Sequence, residues 1–304
     1  MYLQCNIIIY FFKIILMILE QLIFFLSIIL FIIFLFFKLS HKKCEYNNIL
    51  KENYEILKKN IKTNSNYKNT IIQTYFDKSK IPKKVYDNIK KYAKGYKYII
   101  FNDEECIKFI EKYYKDDKDF DYKKIIKTFN ILKKGAHKAD LFRYCLLYKK
   151  GGIYMDIKTE LIQNINNLFN KKNYVYLVLT TSIPNYNGKK VIKNRIYNGI
   201  IATPPNNKIF IPLIKYIIKK SKTKFKYLEF VWHFTDIIRD KMNNNIKLGL
   251  TKLKDYNYYL YEEKCSKNKN DCNGELNKYN LCCNIYDNNK KIIKTRFNDY
   301  GKTW

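Results

Sequence analysis

The stretch GGIYMDIKTE, residues 151–160, carries a carboxylate, Asp156, near the end of a short apolar run. Upstream, in KADLFRYCLLYKK, Asp140 and Arg143 are three residues apart. On a helix such residues are neighbours. That helix would lead through Gly151 and Gly152 straight into the run bearing Asp156, so all three side chains can converge at one sheet edge. A carboxylate there can hold Mn²⁺ or Mg²⁺, and the metal can neutralise a departing diphosphate, with a guanidinium alongside. This is the chemistry of a nucleotide-sugar site. The same residues would also serve as a structural Asp–Arg pair beside a strand-end aspartate, and spacing alone does not separate the two. A metal pair would want a second carboxylate two residues on, where the chain has Lys158.

The elements that must position these residues follow from the pattern. NTIIQTYF reads as a first strand. Pro82 suits the first turn of a helix, in which Val85, Ile89 and Tyr92 share a face and Gly95 suits the end. A strand then runs through Phe101, and Asn102 or Asp103 caps the next helix. Ala136, Ala139, Arg143 and Leu147 lie along one face of the helix that ends at Gly151–Gly152. IYMDI is a short strand with Asp156 near its C-terminal end, where ligands bind in open α/β sheets. Further strands are expected at 174–181, 197–202 and 256–261, and helices at 206–220 and 226–241. The rhythm predicts an α/β domain with a mainly parallel central sheet.

The formal net charge is +31. The excess is almost all lysine, spread along the chain among Asn, Ile and Tyr. An AT-rich genome, such as that of a large DNA virus or a protist, gives this mixture, so no nucleic-acid partner is expected. The field would still attract anionic lipids and sugar phosphates. The N-terminus differs: Ile14–Leu39 is long and apolar enough to cross a core of about 30 Å. No small-residue cleavage site follows it, so an uncleaved membrane anchor is expected over 1–40, a polar stem over 41–69, and one folded domain over 70–304.

IIQTYF, the IP that follows it, and above all ADLFRYCLLYKKGGIYMD resemble glycosyltransferase family 32, named for a sugar-binding region with an Asp-x-Asp motif and including fungal α-1,6-mannosyltransferases and viral relatives. The resemblance covers roughly 70–205. It implies a GT-A-type, Rossmann-like fold, a nucleotide-sugar donor, a divalent metal, a glycan or glycoprotein acceptor, and transfer of a hexose with retention of configuration. By position, Ala139, Asp140, Arg143 and Tyr154 fall in the donor site and Asp156 is the first motif aspartate. YNGIIATPP resembles another family segment, with Asn198 and Gly199 near the sugar or acceptor.

Lys158 stands where the second motif aspartate would be. Three outcomes are open. On an unbroken strand Glu160 shares a face with Asp156 and could supply the missing metal ligand. Lys158 could pair the diphosphate itself, making Asp156 and Lys158 the catalytic pair and the metal dispensable. Or the protein is a degenerate, basic, membrane-anchored glycan- or anion-binding protein. The late histidine usual near such a metal site is missing, leaving Asp299 or Asn298 to take its place. His137 is expected in a capping or surface role, and Trp232 and His233 in the core. Cys265, Cys272, Cys282 and Cys283 match no zinc spacing; they suit disulfides in a lumenal domain and free thiols in a cytosolic one. Lys42 and Lys43 after the anchor favour the cytosol. The cysteines, and the type II topology usual for an anchored glycosyltransferase, favour a lumenal domain on a single-pass protein, in a host membrane if the source is viral.

Overall fold

The computed structural model describes residues 69–171, 173–182, 194–268 and 281–300, all within the unit Asn66–Trp304. The expected anchor, nearly all of the stem, and Cys272 lie outside these residues. No helix among the described residues is long and apolar enough to cross a membrane.

The chain opens with β1 (Thr70–Thr74), α1 (Lys83–Tyr92), β2 (Lys97–Phe101) and α2 (Asp103–Tyr114). Asn102 caps α2: its Oδ1 accepts from the Glu105 amide at 2.9 Å while Glu105 Oε2 accepts from the Asn102 amide at 2.8 Å. After α3 (Tyr122–Ile131), the long α4 (Gly135–Lys150) buries side chains on nearly every side, from His137 through Leu147. Such a helix is enclosed by its neighbours. It ends at Gly151, whose φ is +64°. A Cβ there would stand 2.6 Å from the Pro205 nitrogen and the Thr203 carbonyl oxygen. Only glycine allows both the left-handed conformation and that approach, and the tight turn launches β3 (Gly152–Met155) beside β1.

The remaining elements are β4 (Glu160–Leu161), β5 (Tyr174–Ser182), β6 (Arg195–Ile196), β7 (Ile200–Thr203), α5 (Phe210–Lys220), α6 (Glu229–Lys241), β8 (Gly249–Lys252), β9 (Asn257–Ser266), β10 (Cys282–Asp287) and β11 (Lys290–Lys294). The main sheet order is β2-β1-β3-β7-β5-β9-β10-β11-β4. The sheet is mixed rather than mainly parallel, which corrects the expectation. Only β1–β2, β1–β3 and β5–β9 pair in parallel among the described strands. The βαβ units of the first half supply parallel strands, but β7 returns antiparallel to β3, and β9, β10 and β11 form a meander. The β10–β11 turn uses Asn288 and Asn289, both at positive φ, as a tight hairpin of primed type requires.

One apolar cluster packs α2 to α6 on one face of the sheet, with Phe142, Tyr144, Leu147, Phe210 and Phe234 among its buried residues. A second, on the other face, includes Ile89, Ile153, Phe169, Tyr261 and Ile285. Cys265 and Cys283, directly opposite across β9 and β10, form a disulfide. Cys106 and Cys145 are free and buried.

Candidate active site

The C-terminal ends of β1 and β3 and the N-terminal end of β7 meet at one sheet edge, against the middle of α4. Asp156 follows β3 directly. Its amide donates to the Gly199 carbonyl at 2.8 Å, continuing the β3–β7 pairing by one residue. Its carbonyl accepts from Gln73 Nε2 at 3.0 Å, and Gln73 is fully buried on β1. The backbone of Asp156 is thus held from both neighbouring strands.

Its carboxylate faces two cations. Oδ1 lies 3.3 Å from Arg143 Nη2 and accepts from the Tyr154 hydroxyl at 3.4 Å; Oδ2 lies 3.0 Å from Lys158 Nζ. Arg143 also reaches Asp140 Oδ1 at 3.2 Å, donates from Nε to the Ala139 carbonyl at 3.2 Å, and donates to the Asn198 carbonyl. Its guanidinium stands 4.3 Å above the Tyr154 ring. Asn198 donates to Asp140 at 2.8 Å and accepts from the Tyr144 hydroxyl at 3.0 Å. Asp140, Arg143, Tyr154, Asp156, Lys158 and Asn198 therefore form one connected group, and the convergence of Asp140, Arg143 and Asp156 within it is the one the spacing allowed. The Asp140 and Arg143 side chains are sealed, whereas those of Asp156 and Lys158 remain 20% and 23% exposed, so these two are the charged groups of the set open to solvent.

The protonation states follow. Burial pushes the Asp140 carboxyl up to about 6, against the pull of Arg143. Burial opposes ionisation of Asp156 too, but Lys158 and Arg143 outweigh it and hold that carboxyl below its usual range. Burial works against the Lys158 charge, and Tyr197 and Asp156 more than offset it.

Glu160 is not in this group. The chain turns at Ile157–Lys158, where the Thr159 amide donates to the Asp156 carbonyl at 2.9 Å. The two-residue alternation assumed for an unbroken strand stops there. Glu160 instead sits on β4, 3.0 Å from Lys294 of β11. Asp299 pairs with Lys84 and Asn298 is exposed. His137 is buried rather than capping or on the surface: its ring packs on Phe225, Tyr227 and Phe230. Trp232 and His233 are half-buried, and His233 stacks on Tyr216 with ring centroids 3.7 Å apart.

A divalent ion takes several oxygen ligands. Here Asp156 is held by Arg143 and Lys158, Asp140 by Arg143 and Asn198, and Glu160 by Lys294. An ion about 4 Å from the Lys158 ammonium would meet a repulsion of roughly 8 kcal/mol at an effective dielectric near 20. The one cluster of ligand-type side chains among the described residues, Glu263, Cys265 and Cys283, has both sulfurs in the disulfide. The donor set does not fit Mn²⁺ or Mg²⁺ held as an Asp-x-Asp motif implies.

Other residues of the site carry no signal in the sequence pattern. Gln73 and Tyr144 fix the backbone of Asp156 and the amide of Asn198. Tyr197 lies so close to Gly199 that a Cβ there would be 2.3 Å from its hydroxyl. On the C-terminal segment, Arg296 is near enough for its charge to act on Lys158, and the Tyr300 hydroxyl is near enough to feel the Lys158 charge. Glu263 of β9 is buried, accepts from the Thr180 hydroxyl, and is pushed by burial up to about 7.

The mixed α/β architecture fits a GT-A-like fold, with the connected group at the ends of its central strands. Residues 41–175 match the family described as glycosyltransferase sugar-binding region containing DXD motif, so the resemblance to that family holds. The chain is similar to the initiation-specific alpha-1,6-mannosyltransferase of Candida albicans, 35% identical over 91 residues, covering 28% of this chain and 22% of that protein. It is similar to the enzyme of the same name from Saccharomyces cerevisiae, 33% identical over 75 residues, covering 25% of this chain and 15% of that protein. The chain thus spans about a fifth or less of the length of these curated relatives. Among solved structures, a PaToxG glycosyltransferase aligns at 16% identity and a TM-score of 0.42, covering 58% of this chain and 70% of that one.

Proposed function

We propose that this protein transfers a hexose from a nucleotide-sugar donor to a glycan or glycoprotein acceptor, with retention of configuration. The observation that carries the reading is the convergence of Asp140, Arg143, Asp156 and Asn198 at the ends of β1 and β3. The family region and the mannosyltransferase names of the relatives support it. In this reading Asp156 and Lys158 face the donor, and Arg143, clamped between two carboxylates, fixes their geometry. The acceptor hydroxyl loses its proton to the departing phosphate oxygen, so no separate nucleophile is needed. The protein's contribution is positioning and charge stabilisation.

Residues 1–40 would anchor the chain as a single-pass type II protein, with 41–69 as stem and 70–304 as the transferase domain in the lumen. The β9–β10 disulfide supports the lumen, because such bonds persist in oxidising compartments.

The test is donor hydrolysis by the full-length protein in detergent, against a panel of UDP- and GDP-sugars, with Mn²⁺ and with EDTA. One donor should be cleaved, and Asp156→Ala should lose at least ~100-fold of that rate. If no donor is cleaved or bound, the transferase reading fails and the anchored glycan- or anion-binding protein becomes the account. If a donor is cleaved but Asp156→Ala behaves as wild type, the activity stands and its assignment to this site fails.

A further inference from the structure

We propose that Lys158 is a built-in counter-charge, replacing the divalent cation, so that the donor's diphosphate binds without metal. This rests on the transferase reading and specifies how its site works.

In this chain the two carboxylates Asp140 and Asp156 are balanced by the two cations Arg143 and Lys158, so the group is neutral as folded. An Asp-x-Asp pattern, with aspartate at 158, would set three carboxylates against the single guanidinium. That leaves two negative charges, which one divalent ion cancels. Lysine at 158 supplies that cancellation from the chain itself. The geometry agrees, because the Lys158 ammonium lies 3.0 Å from Asp156 Oδ2 and so neutralises that carboxylate directly.

Lys158 is also held as a binding group rather than a loose surface lysine. Its carbonyl accepts from the Phe297 amide at 2.8 Å. Its neighbour Ile157 packs with Ile81, Val85, Ile100 and Phe297. Its backbone is thus fixed by the turn after Asp156 on one side and the C-terminal segment on the other. An ammonium has three N–H donors. Asp156 faces it, and the side chain keeps enough exposure for the others to reach phosphate oxygens. Arg296 is close enough for its positive charge to act on Lys158. Lysine is a good point charge for phosphate, needing no particular fork geometry.

The experiment titrates UDP and GDP into the full-length protein in detergent and reads heat, in EDTA and in Mn²⁺. Wild type should bind one of them with Kd values agreeing within about threefold in the two buffers. Lys158→Arg should keep most of that affinity. Lys158→Met should weaken it at least tenfold in both buffers. Lys158→Asp, which restores the Asp-x-Asp pattern, should bind at least tenfold more tightly with Mn²⁺ than with EDTA. The wild-type comparison needs no variant to fold. If wild type binds tenfold or more weakly in EDTA, Lys158 does not replace the metal, while the transferase reading stands. If neither nucleotide binds in either buffer, both fail.

Discussion

Arg143→Met is the substitution that tests the architecture of the site most directly. The guanidinium is almost completely buried between Asp140 and Asp156 and also donates to the Ala139 and Asn198 carbonyls. Methionine fills much of the volume but leaves two carboxylates facing each other with only Lys158 between them and neutrality. Breaking a buried pair in this way costs about 3–5 kcal/mol. For a domain of this size each kcal/mol moves the midpoint by about 2–4 °C, so Tm should drop by roughly 6–20 °C. The loss should depend on pH. Burial already raises the Asp140 carboxyl to about 6, and without Arg143 it rises further. A carboxyl raised in the folded state binds more protons there than when unfolded. Stability therefore falls as pH climbs from the unfolded value, near 4, through the folded one. Every further tenfold weakening of this acid in the folded state costs about 1.4 kcal/mol at high pH, so the variant should be weakest near pH 8 and partly restored near pH 5.5. Adding Asp140→Asn should recover part of the loss at pH 8. Thermal unfolding of the three proteins at the two pH values decides it. A loss under about 1 kcal/mol at pH 8, or an equal loss at both, would refute the clamped-arginine reasoning.

Two further outcomes concern the frame of the site. Glu263, raised to about 7 by burial, should cost wild type up to roughly 3 kcal/mol as pH rises from about 4.5 to above 7. Glu263→Gln should be the more stable protein at pH 8 with little difference at pH 5, as read by urea midpoints; a gap independent of pH would mean that Glu263 is not held as a buried carboxyl. Gly151→Ala should lose about 2–5 kcal/mol, because it meets backbone at 2.6 Å in a left-handed turn. Gly95→Ala, also at positive φ but with open space around it, should lose only about 1 kcal/mol. Equal losses in the two alanine variants would show that φ alone, and not the approach to Thr203 and Pro205, matters at Gly151.

The α4–β3 unit could be read from the chain because its signals are local: Asp140 and Arg143 one helical turn apart, then a glycine stop, then an apolar run. Glu160 could not, because strand alternation is a rule about unbroken strands. Nothing in IKTE announces the turn that Phe297, far along the chain, pins from outside. Glu263 is similar. In YYLYEEKC it resembles its exposed-looking neighbour Glu262, and its burial comes from β5 on one side and β10 on the other. The mixed sheet was hidden for the same kind of reason. Two of the strands that make it antiparallel, β10 and β11, are diluted with Asn and Lys, so their alternation is faint, and the direction in which β7 pairs with β3 is set by long-range packing that no local pattern carries.

Lys158 shows how a local chemical substitution can be understood only once its neighbours are placed. As a letter in a motif it reads equally as a lost ligand, a diphosphate partner or a sign of decay. Its meaning depends on whether another carboxylate stands ready to rebuild the metal site. Glu160 does not, being paired with Lys294 across β4 and β11. What remains is a neutral set of two carboxylates and two cations, in which only Asp156 and Lys158 are open. A diphosphate approaching such a set is drawn in by the surplus charge of the whole chain, which acts at long range without selectivity. Retention at the site then requires Lys158 to be shared between Asp156 and the phosphates. That sharing is possible because Arg143 already satisfies the other oxygen of Asp156, so the carboxylate is not left uncompensated when the lysine turns toward the ligand.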